Sequence, residues 1–507
     1  MSLPWVPALL AIYYSVLVVL SFFGLHRLML VFIYLRTRGR SLPAAEPPSD
    51  PKLWPVVTVQ LPLYNEMYVA ERLIDAVCRL DYPAGRLEVQ VLDDSTDETT
   101  GIVARVVAAW RERGVDIHHL HRTDRSGFKA GALEAGLAVA RGELLAIFDA
   151  DFVPTADFLR RSVPYFLHNP RLALVQGRWD HINRGYSLLT RVEAILLDGH
   201  FMIEHSARNR SGRFFNFNGT AGIWRREAIE SSGGWQHDTL TEDLDLSFRA
   251  QLQGWAFLYL PGLKVPSELP VDVNGFKSQQ YRWAKGAVQT GRKLLGRVVR
   301  APIPLRVKTE AVIHLANNLS YPLMVVLSVL IFPAMLLRRG TSATLLLLVD
   351  LPLFLSATVA VLTFYLMSQV AGNDDWKRDV RYLPALMAVG IGLSVNNARA
   401  VVSGLFRDGG TFHRTPKYRI ERAGQDWTAK RYRAGKDPTR AVEALLALYF
   451  LGCTVYAAMA GMWMSIPFLY LFVQGYGYMA VLSYLPSLRD GWRRGKAPEA
   501  AGVAGPM

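Results

Sequence analysis

Apolar residues are spread unevenly along this chain, and their spacing divides it into three kinds of segment. Residues 5–25 (WVPALLAIYYSVLVVLSFFGL) carry no charge and are long enough to cross a bilayer as a helix. Nothing basic precedes them and no small-residue cleavage site follows, which reads as a retained anchor helix and not a removable signal peptide. Further apolar stretches lie at 317–337, 342–370, 381–405, 441–461 and 462–485. Between 41 and 316 the apolar runs are short, separated by charge and turn residues, as in a domain exposed to water.

Inside that middle region, strand and helix patterns alternate. VVTVQL (56–61), LEVQVL (87–92), IHHLH (117–121) and LLAIF (144–148) read as short strands. Val69, Leu73, Ile74 and Val77 predict a helix over 68–80, and further helices are predicted over 98–113 and about 128–141. Such alternation predicts a mostly parallel sheet with helices on both faces. Ligands of such sheets bind beyond the carboxyl ends of the strands. Two acidic clusters fall at that edge, Asp93-Asp94 and Asp149 with Asp151. A dinucleotide fold is excluded, because the first strand runs into Pro62-Leu63-Tyr64-Asn65-Glu66 without G-x-G-x-x-G, and no Walker-type phosphate loop occurs.

Charge orders the apolar segments. Arg36, Arg38 and Arg40, the basic segment 407–440 and Arg489–Lys496 all belong on the cytoplasmic side. An even number of crossings must then separate the middle region from 407–440, so one of the three apolar stretches between them does not cross. With Asn396, Asn397 and Arg399, residues 381–405 are expected to lie in the interface. The expected organisation is an N-terminal transmembrane helix (1–40), a cytoplasmic domain (41–300), interfacial and transmembrane helices (301–406), a cytoplasmic loop (407–440), a helix pair (441–488) and a cytoplasmic tail (489–507). That makes five crossings in an inner or plasma membrane, with the N-terminus outside. The few residues after Leu485 are expected to hold no fused regulatory domain. Asn317, Asn318, Tyr321, Gln474, Tyr476 and Tyr478 would either line a polymer path or act as interfacial anchors.

Composition changes this picture little. At 51% hydrophobic and 20% charged, the chain is too apolar to be disordered. The two cysteines, Cys78 and Cys453, exclude a disulfide framework and a Cys-rich zinc site. The net charge of +14 lies at membrane flanks, where anionic headgroups and not nucleic acid are the natural partner.

Five segments can carry chemistry, and each has an ordinary reading beside the functional one. Asp149 and Asp151 can share one hard cation, Mg2+ or Mn2+, through oxygen ligands, or be two solvated carboxylates in a turn. Asp243 in Thr241-Glu242-Asp243 can take a proton from a sugar hydroxyl, or complement a helix dipole. Gln279-Gln280-Tyr281-Arg282-Trp283 offers amide hydrogen bonds, a cation and a flat apolar face to a sugar phosphate, or packs at the membrane surface. His121 to Leu133, containing Lys129, puts basic residues at a helix start, as an anion site or a solvated loop. Phe412-His413-Arg414-Thr415-Pro416-Lys417 sits in the basic loop whose charge also serves topology.

Together, and in this order, the segments resemble the processive family 2 glycosyltransferases, the cellulose, chitin and hyaluronan synthases. The strongest likeness is to the plant cellulose-synthase-like mannan and glucomannan synthases. It is carried by VQLPLYNE (59–66), QVLDDSTD (90–97), FNGTAGIWRR (217–226), GGW (233–235), TEDLDLSFRAQLQGWAFLYL (241–260) and QQYRW (279–283), and runs from about Val56 to Lys417. The resemblance implies an α/β GT-A domain for nucleotide-diphospho-sugars, joined to a transmembrane helical bundle, and inversion at the anomeric carbon. It implies that Asp93 and Asp94 lie near the base and ribose, that Lys129 contacts the nucleotide, and that Asp149 and Asp151 hold nucleotide and metal. Asp243 would be the base. Arg282 would bind the diphosphate, while Asn218, Gly219, Thr220, Glu242, Gln279 and Trp283 would bind the acceptor. Phe412, Thr415 and Lys417 would belong to a gating loop, although this sequence reads H-R-T-P where the family more usually carries Val.

The function so expected is polymerisation of a β-linked glycan (β-1,4-mannan, glucomannan or glucan) from UDP-glucose or GDP-mannose, with translocation of the growing polysaccharide through the bilayer. The alternatives are a non-processive transferase acting on a membrane lipid, and a transporter or channel with a nucleotide-sugar sensor domain.

Overall fold

The computed structural model describes residues 5–42, 45–338, 348–349, 351–373, 375–410, 414–433, 435 and 437–494. Phe412 and His413, part of the expected gating loop, lie outside the described residues.

A seven-stranded sheet organises the middle region. Its strands are β1 (Val57–Leu63), β2 (Leu87–Asp93), β3 (Ile117–His121), β4 (Leu144–Ile147), β5 (Leu172–His181), β6 (Gly222–Arg225) and β7 (Ala256–Ser267), in the order β3-β2-β1-β4-β6-β5-β7. Only β6 runs antiparallel to its neighbours, β4 and β5. Helices α1 (Trp5–Thr37), α2 (Ala70–Cys78), α3 (Thr99–Glu112) and α4 (Phe128–Val139) complete the N-terminal half. Alternate strand residues face opposite layers. Val89 and Val91 pack with Leu73, Ile74, Val103 and Val107 of α2 and α3. Leu92, Leu145 and Ile147 pack with Leu133 and Leu137 of α4 and with Trp224.

Two polar pairs interrupt this apolar alternation. Parallel register sets Thr58 beside Glu88 and Gln60 beside Gln90. The Thr58 hydroxyl donates to Glu88 Oε2 at 2.5 Å, and Gln60 Nε2 donates to Gln90 Oε1 at 3.1 Å. The Arg141 backbone N–H also donates to Glu88 at 2.9 Å, so this buried carboxylate has the partners it needs.

Among the described residues, five helices are long and apolar enough to cross a membrane: Trp5–Thr37, Leu305–Leu337, Leu355–Gly372, Arg440–Met459 and Trp463–Leu485. Residues 383–406 instead form two helices, Leu383–Gly392 and Ser394–Phe406, bent by 43°. Counted as one span, the pair would bring the total to six. Gly392 and Gly475 let the first half press on the last helix, since a Cβ on Gly392 would stand 2.4 Å from the Gly475 carbonyl.

Two polar residues of the second half, expected from sequence to suit the interface, pack against protein. Asn396 and Asn397 are buried, and Asn396 Nδ2 donates to the Lys277 carbonyl at 2.9 Å. The Arg399 guanidinium lies over the Tyr281 ring, 4.9 Å from its centroid. A neighbouring protein helix satisfies these groups where lipid could not. Tyr476 is likewise a packing residue and not a lining one: it is buried, its hydroxyl within 2.7 Å of Ser328 Oγ and 3.1 Å of Ser394 Oγ.

The neighbouring helix is Val273–Arg300, which joins the α/β domain to the bundle. Lys277 on its first turns is 1% exposed. Its ammonium pairs with Asp437, lies 2.6 Å from Glu443 Oε2 and donates to Ser483 Oγ at 3.1 Å.

Candidate active site

Four of the parallel strands deliver acids to one region at the carboxyl edge of the sheet. β1 is followed by Glu66, β2 by Asp94, β4 by Asp149 and Asp151, and β7 by Glu268. These groups line one open cleft of about 1180 Å³. Its far wall is the helix Val273–Arg300, which contributes Gln279, Arg282 and Trp283. The helix Glu242–Leu252 presents Glu242 and Asp243 from its first turn. Segment 414–417 closes the top with Arg414, Thr415 and Lys417.

The polar contacts within the cleft are specific. Lys129 Nζ, from the first turn of α4, lies 2.5 Å from Asp149 Oδ1 and donates to the Gly219 carbonyl at 2.8 Å. Lys417 Nζ lies 2.7 Å from Asp151 Oδ2. Asp94 is gripped by Arg122, with Nε and Nη2 at 2.8 and 2.6 Å. The Asp149 backbone N–H donates to the Thr220 hydroxyl at 2.9 Å, which fixes the start of the Asp149–Asp151 turn.

The backbone fixes one oxygen of Asp243. The Leu244 backbone N–H donates to Oδ1 at 2.8 Å, leaving Oδ2 to face the cleft. Gly219, with φ of +80°, makes room for it, because a Cβ there would stand 3.1 Å from Asp243 Oδ2 and 3.3 Å from Lys129 Nζ. Burial, and then the neighbouring Glu242 charge, push the Asp243 carboxyl up to about 7, against the pull of Lys129. Burial raises Glu242 as well. Lys129 is held above its usual range, because Asp149, Glu242 and Asp243 outweigh its burial. Burial lowers Arg282, in the face of Glu242, Asp149 and Asp243, which all favour its charge.

An aromatic floor continues below the acids. Trp283 and Trp179 have ring centroids 6.3 Å apart, and Trp179 packs on Phe152 and Phe201 at 5.1 and 5.2 Å. Phe201 belongs to a π-helical segment, Gly199–His205, a rare geometry that is frequent at functional sites. Two histidines of that segment orient Asn218. The Asn218 amide donates to His200 Nε2 at 2.9 Å, and His205 Nε2 donates to Asn218 Oδ1 at 2.7 Å.

The fold thus brings Asp94, Lys129, Asp149, Asp151, Asn218, Gly219, Glu242, Asp243, Gln279, Arg282, Trp283, Thr415 and Lys417 to one cavity. Two expected residues do not reach its wall. Thr220 is buried behind Asp149. Asp93 is fully buried beneath the β2–β3 edge, where hydrogen bonds from His119 and Ser95 hold its carboxyl down to about 2 against the effect of burial.

The sequence also signalled residues that were given no role. Glu66 follows β1 as Asp94 follows β2, and burial pushes its carboxyl up to about 7. Arg125, Arg414 and Trp179 line the cleft too. Trp179 was hidden because β5 was not foreseen.

Asp149 and Asp151 suit a divalent cation. They are oxygen donors at a single strand end, and in this structure each carboxylate already faces a positive charge, the ammonium groups of Lys129 and Lys417. Cation density belongs at this point of the cleft.

Comparison with known proteins agrees with the geometry. Residues 55–286 match the family model described as "Glycosyltransferase like family 2". The matched region is the α/β sheet with acids at its carboxyl edge, and it is joined to long apolar helices. Residues 55–286 are thus similar to the family 2 glycosyltransferases. Glucomannan 4-beta-mannosyltransferase 7 of Arabidopsis thaliana is 46% identical over 252 residues, which cover 49% of this chain and 45% of the relative. Glucomannan 4-beta-mannosyltransferase 1 of Oryza sativa subsp. japonica is 44% identical over 269 residues, 52% of each chain. The chain spans about half the length of the curated relatives it matches. Among solved structures, the mannosyltransferase PcManGT of Pyrobaculum calidifontis, in complex with GDP-Man and Mn2+, is 20% identical with a TM-score of 0.49, covering 78% of this chain and 99% of that one.

Proposed function

We propose that this chain is an inverting, membrane-embedded hexosyltransferase that extends a β-1,4-linked, mannose-containing glycan from a nucleotide-diphospho-sugar. The observation that carries the reading is the placement of Asp243. Its free carboxylate oxygen shares one cavity with Lys129, Asp149 and Asp151, and the acceptor wall is a helix anchored in the apolar bundle. Relatives named as glucomannan mannosyltransferases favour GDP-mannose over UDP-glucose as donor.

In this reading Asp243 Oδ2 accepts the proton of the acceptor hydroxyl as that oxygen attacks the anomeric carbon, opposite the leaving nucleotide. A carboxyl pushed up to about 7 keeps the proton well enough to act as a base near neutral pH. Arg282 and Lys129 carry positive charge into the region where the diphosphate leaves. Asp149 and Asp151 would hold Mg2+ or Mn2+, which when bound supplies charge neutralisation to that diphosphate. Trp283 and Trp179 offer flat apolar faces to the sugar rings. Gln279 and Asn218 offer amide hydrogen bonds, and Glu242, beside the base, is placed on the same acceptor side. Thr415 and Lys417 cover the donor side, which excludes water and so protects the donor from hydrolysis. The catalytic domain faces the cytoplasm in this reading, where nucleotide sugars are made.

Processive synthesis and release across the bilayer extend the proposal. The test is a donor screen with purified protein, radiolabelled GDP-mannose and UDP-glucose, size separation and linkage analysis. A β-1,4-linked polymer from GDP-mannose is expected. A product of one sugar on a lipid, without polymer, would overturn the polymerase reading.

A further inference from the structure

Asp93 has been turned away from the cleft and into a second constellation. Register sets Asp93 of β2 directly beside His121 of β3. His119 lies two residues earlier on the same strand, and so on the same face. A single carboxylate oxygen receives both imidazoles: His119 Nε2 is 2.9 Å and His121 Nδ1 3.3 Å from Asp93 Oδ2. All three candidate ligand atoms lie within 4.8 Å of one another. The other oxygen, Oδ1, accepts from the Ser95 backbone N–H at 2.9 Å, which locks the carboxylate so that Oδ2 points at the histidines. Asp93 is 0% exposed, while the His119 and His121 side chains are 16% and 35% exposed. The cluster is therefore closed on the protein side and open on the solvent side.

We propose that Asp93, His119 and His121 form a binding site for a Zn2+-class transition-metal ion, separate from the divalent site at Asp149 and Asp151. Ligand atoms about 2.0–2.2 Å from a tetrahedral zinc stand roughly 3.3 Å apart. The two measured separations, 2.9 and 3.3 Å, are already near that value. Two imidazoles with one carboxylate select zinc and its neighbours over Mg2+, which prefers oxygen alone. The ammonium-covered pair Asp149 and Asp151 has the opposite preference. Ser95 is the outer partner that such ligands need for orientation. The fourth position is left to solvent. His118, between the two histidines, points the other way and pairs with Asp116 at 2.9 Å, so it serves as an internal control.

The ion would fasten the edge strand β3 to β2 at the point where the cleft wall begins. The Arg122 backbone N–H donates to the Asp93 carbonyl at 2.9 Å, and the Arg122 side chain grips Asp94 inside the cleft. An ion at Asp93 thus holds the strand end from which Arg122 reaches. Nothing in this proposal depends on the sugar transferred.

The experiment uses full-length purified protein, stripped with a chelator and dialysed against Zn2+ or Co2+. Wild type is expected to take up one zinc per chain by elemental analysis. With Co2+ it should show the visible bands of a four-coordinate ion, and zinc should raise its melting temperature. His118→Gln should behave as wild type. His119→Gln/His121→Gln should lose the bound ion, the bands and the thermal shift. If that double variant does not stay monodisperse, His121→Gln alone carries the test, with zinc affinity at least tenfold weaker. Failure of wild type to bind zinc, or equal zinc in wild type and the histidine variants, overturns the proposal.

Discussion

Replacing Asp243 with Asn should silence the enzyme and stabilise it at the same time. Loss of a positioned general base costs about 10²–10⁴-fold in rate, so transfer in Asp243→Asn should fall at least a hundredfold while nucleotide-sugar binding persists. Stability should move the other way. The fold raises this carboxyl from 3.8 to about 7. Each pH unit of displacement is worth about 1.4 kcal/mol, so the ionised Asp243 costs the fold on the order of 4 kcal/mol. The sign follows from linkage. A group whose folded value is raised contributes stability that is complete below its unfolded value and is lost as pH rises to the folded one. The variant lacks that loss. Its melting temperature should therefore match wild type near pH 3.8, pull ahead as pH rises, and keep a constant lead above about pH 7. Parallel thermal scans and transfer assays across pH check both halves. An active Asp243→Asn enzyme, or one less stable than wild type at pH 8, would refute the placement of a base whose charge the fold disfavours.

Three further outcomes follow from the same geometry. Because Asp243 must be ionised to take a proton, the wild-type transfer rate at saturating donor should rise as pH climbs through about 7, and a profile flat from pH 6 to 8 would exclude it as the base. Gly219→Ala puts a Cβ 3.1 Å from Asp243 Oδ2 at a backbone angle that alanine resists, so turnover should drop at least tenfold while GDP-mannose binding by calorimetry changes little. Lys277→Met leaves Asp437 and Glu443 buried without their cation and should cost about 3–5 kcal/mol, read as a lowered melting temperature that adding Glu443→Gln partly restores.

Legibility in the sequence followed physical regularity. β1, β2 and β4 were readable because they are short runs rich in aliphatic residues, with Pro62, Asp93 and Asp149 marking where they end. β5 was hidden by Gln176, Gly177, Arg178 and Asp180, polar or flexible residues satisfied only once the strand is paired. β7 contains Pro261, Gly262 and Pro266, which break any strand pattern. They are accommodated because the register to β5 jumps from Leu260 at Gly177 to Lys264 at Arg178. β6 has four residues and no local signal. Among candidate site residues, those on strand ends and first helical turns reached the cleft as expected. Asp93 did not, because adjacent positions on a strand point to opposite sides, and the partners that hold it come from β3, whose histidines look unremarkable in one dimension. Asn396 shows a related limit: polarity in an apolar run marks contact with something polar, and only the packed structure says that this is the Lys277 backbone.

The helix Val273–Arg300 carries Lys277, bolted to the bundle, and within the next two turns Gln279, Arg282 and Trp283, the far wall of the cleft. One rigid rod therefore answers to two environments. A thinner bilayer that tilts the last helix pair would drag that side of the cleft with it. The lipid in which this protein sits is in that sense part of its mechanical frame, and turnover in a detergent micelle and in a native-thickness nanodisc belongs to differently set machines.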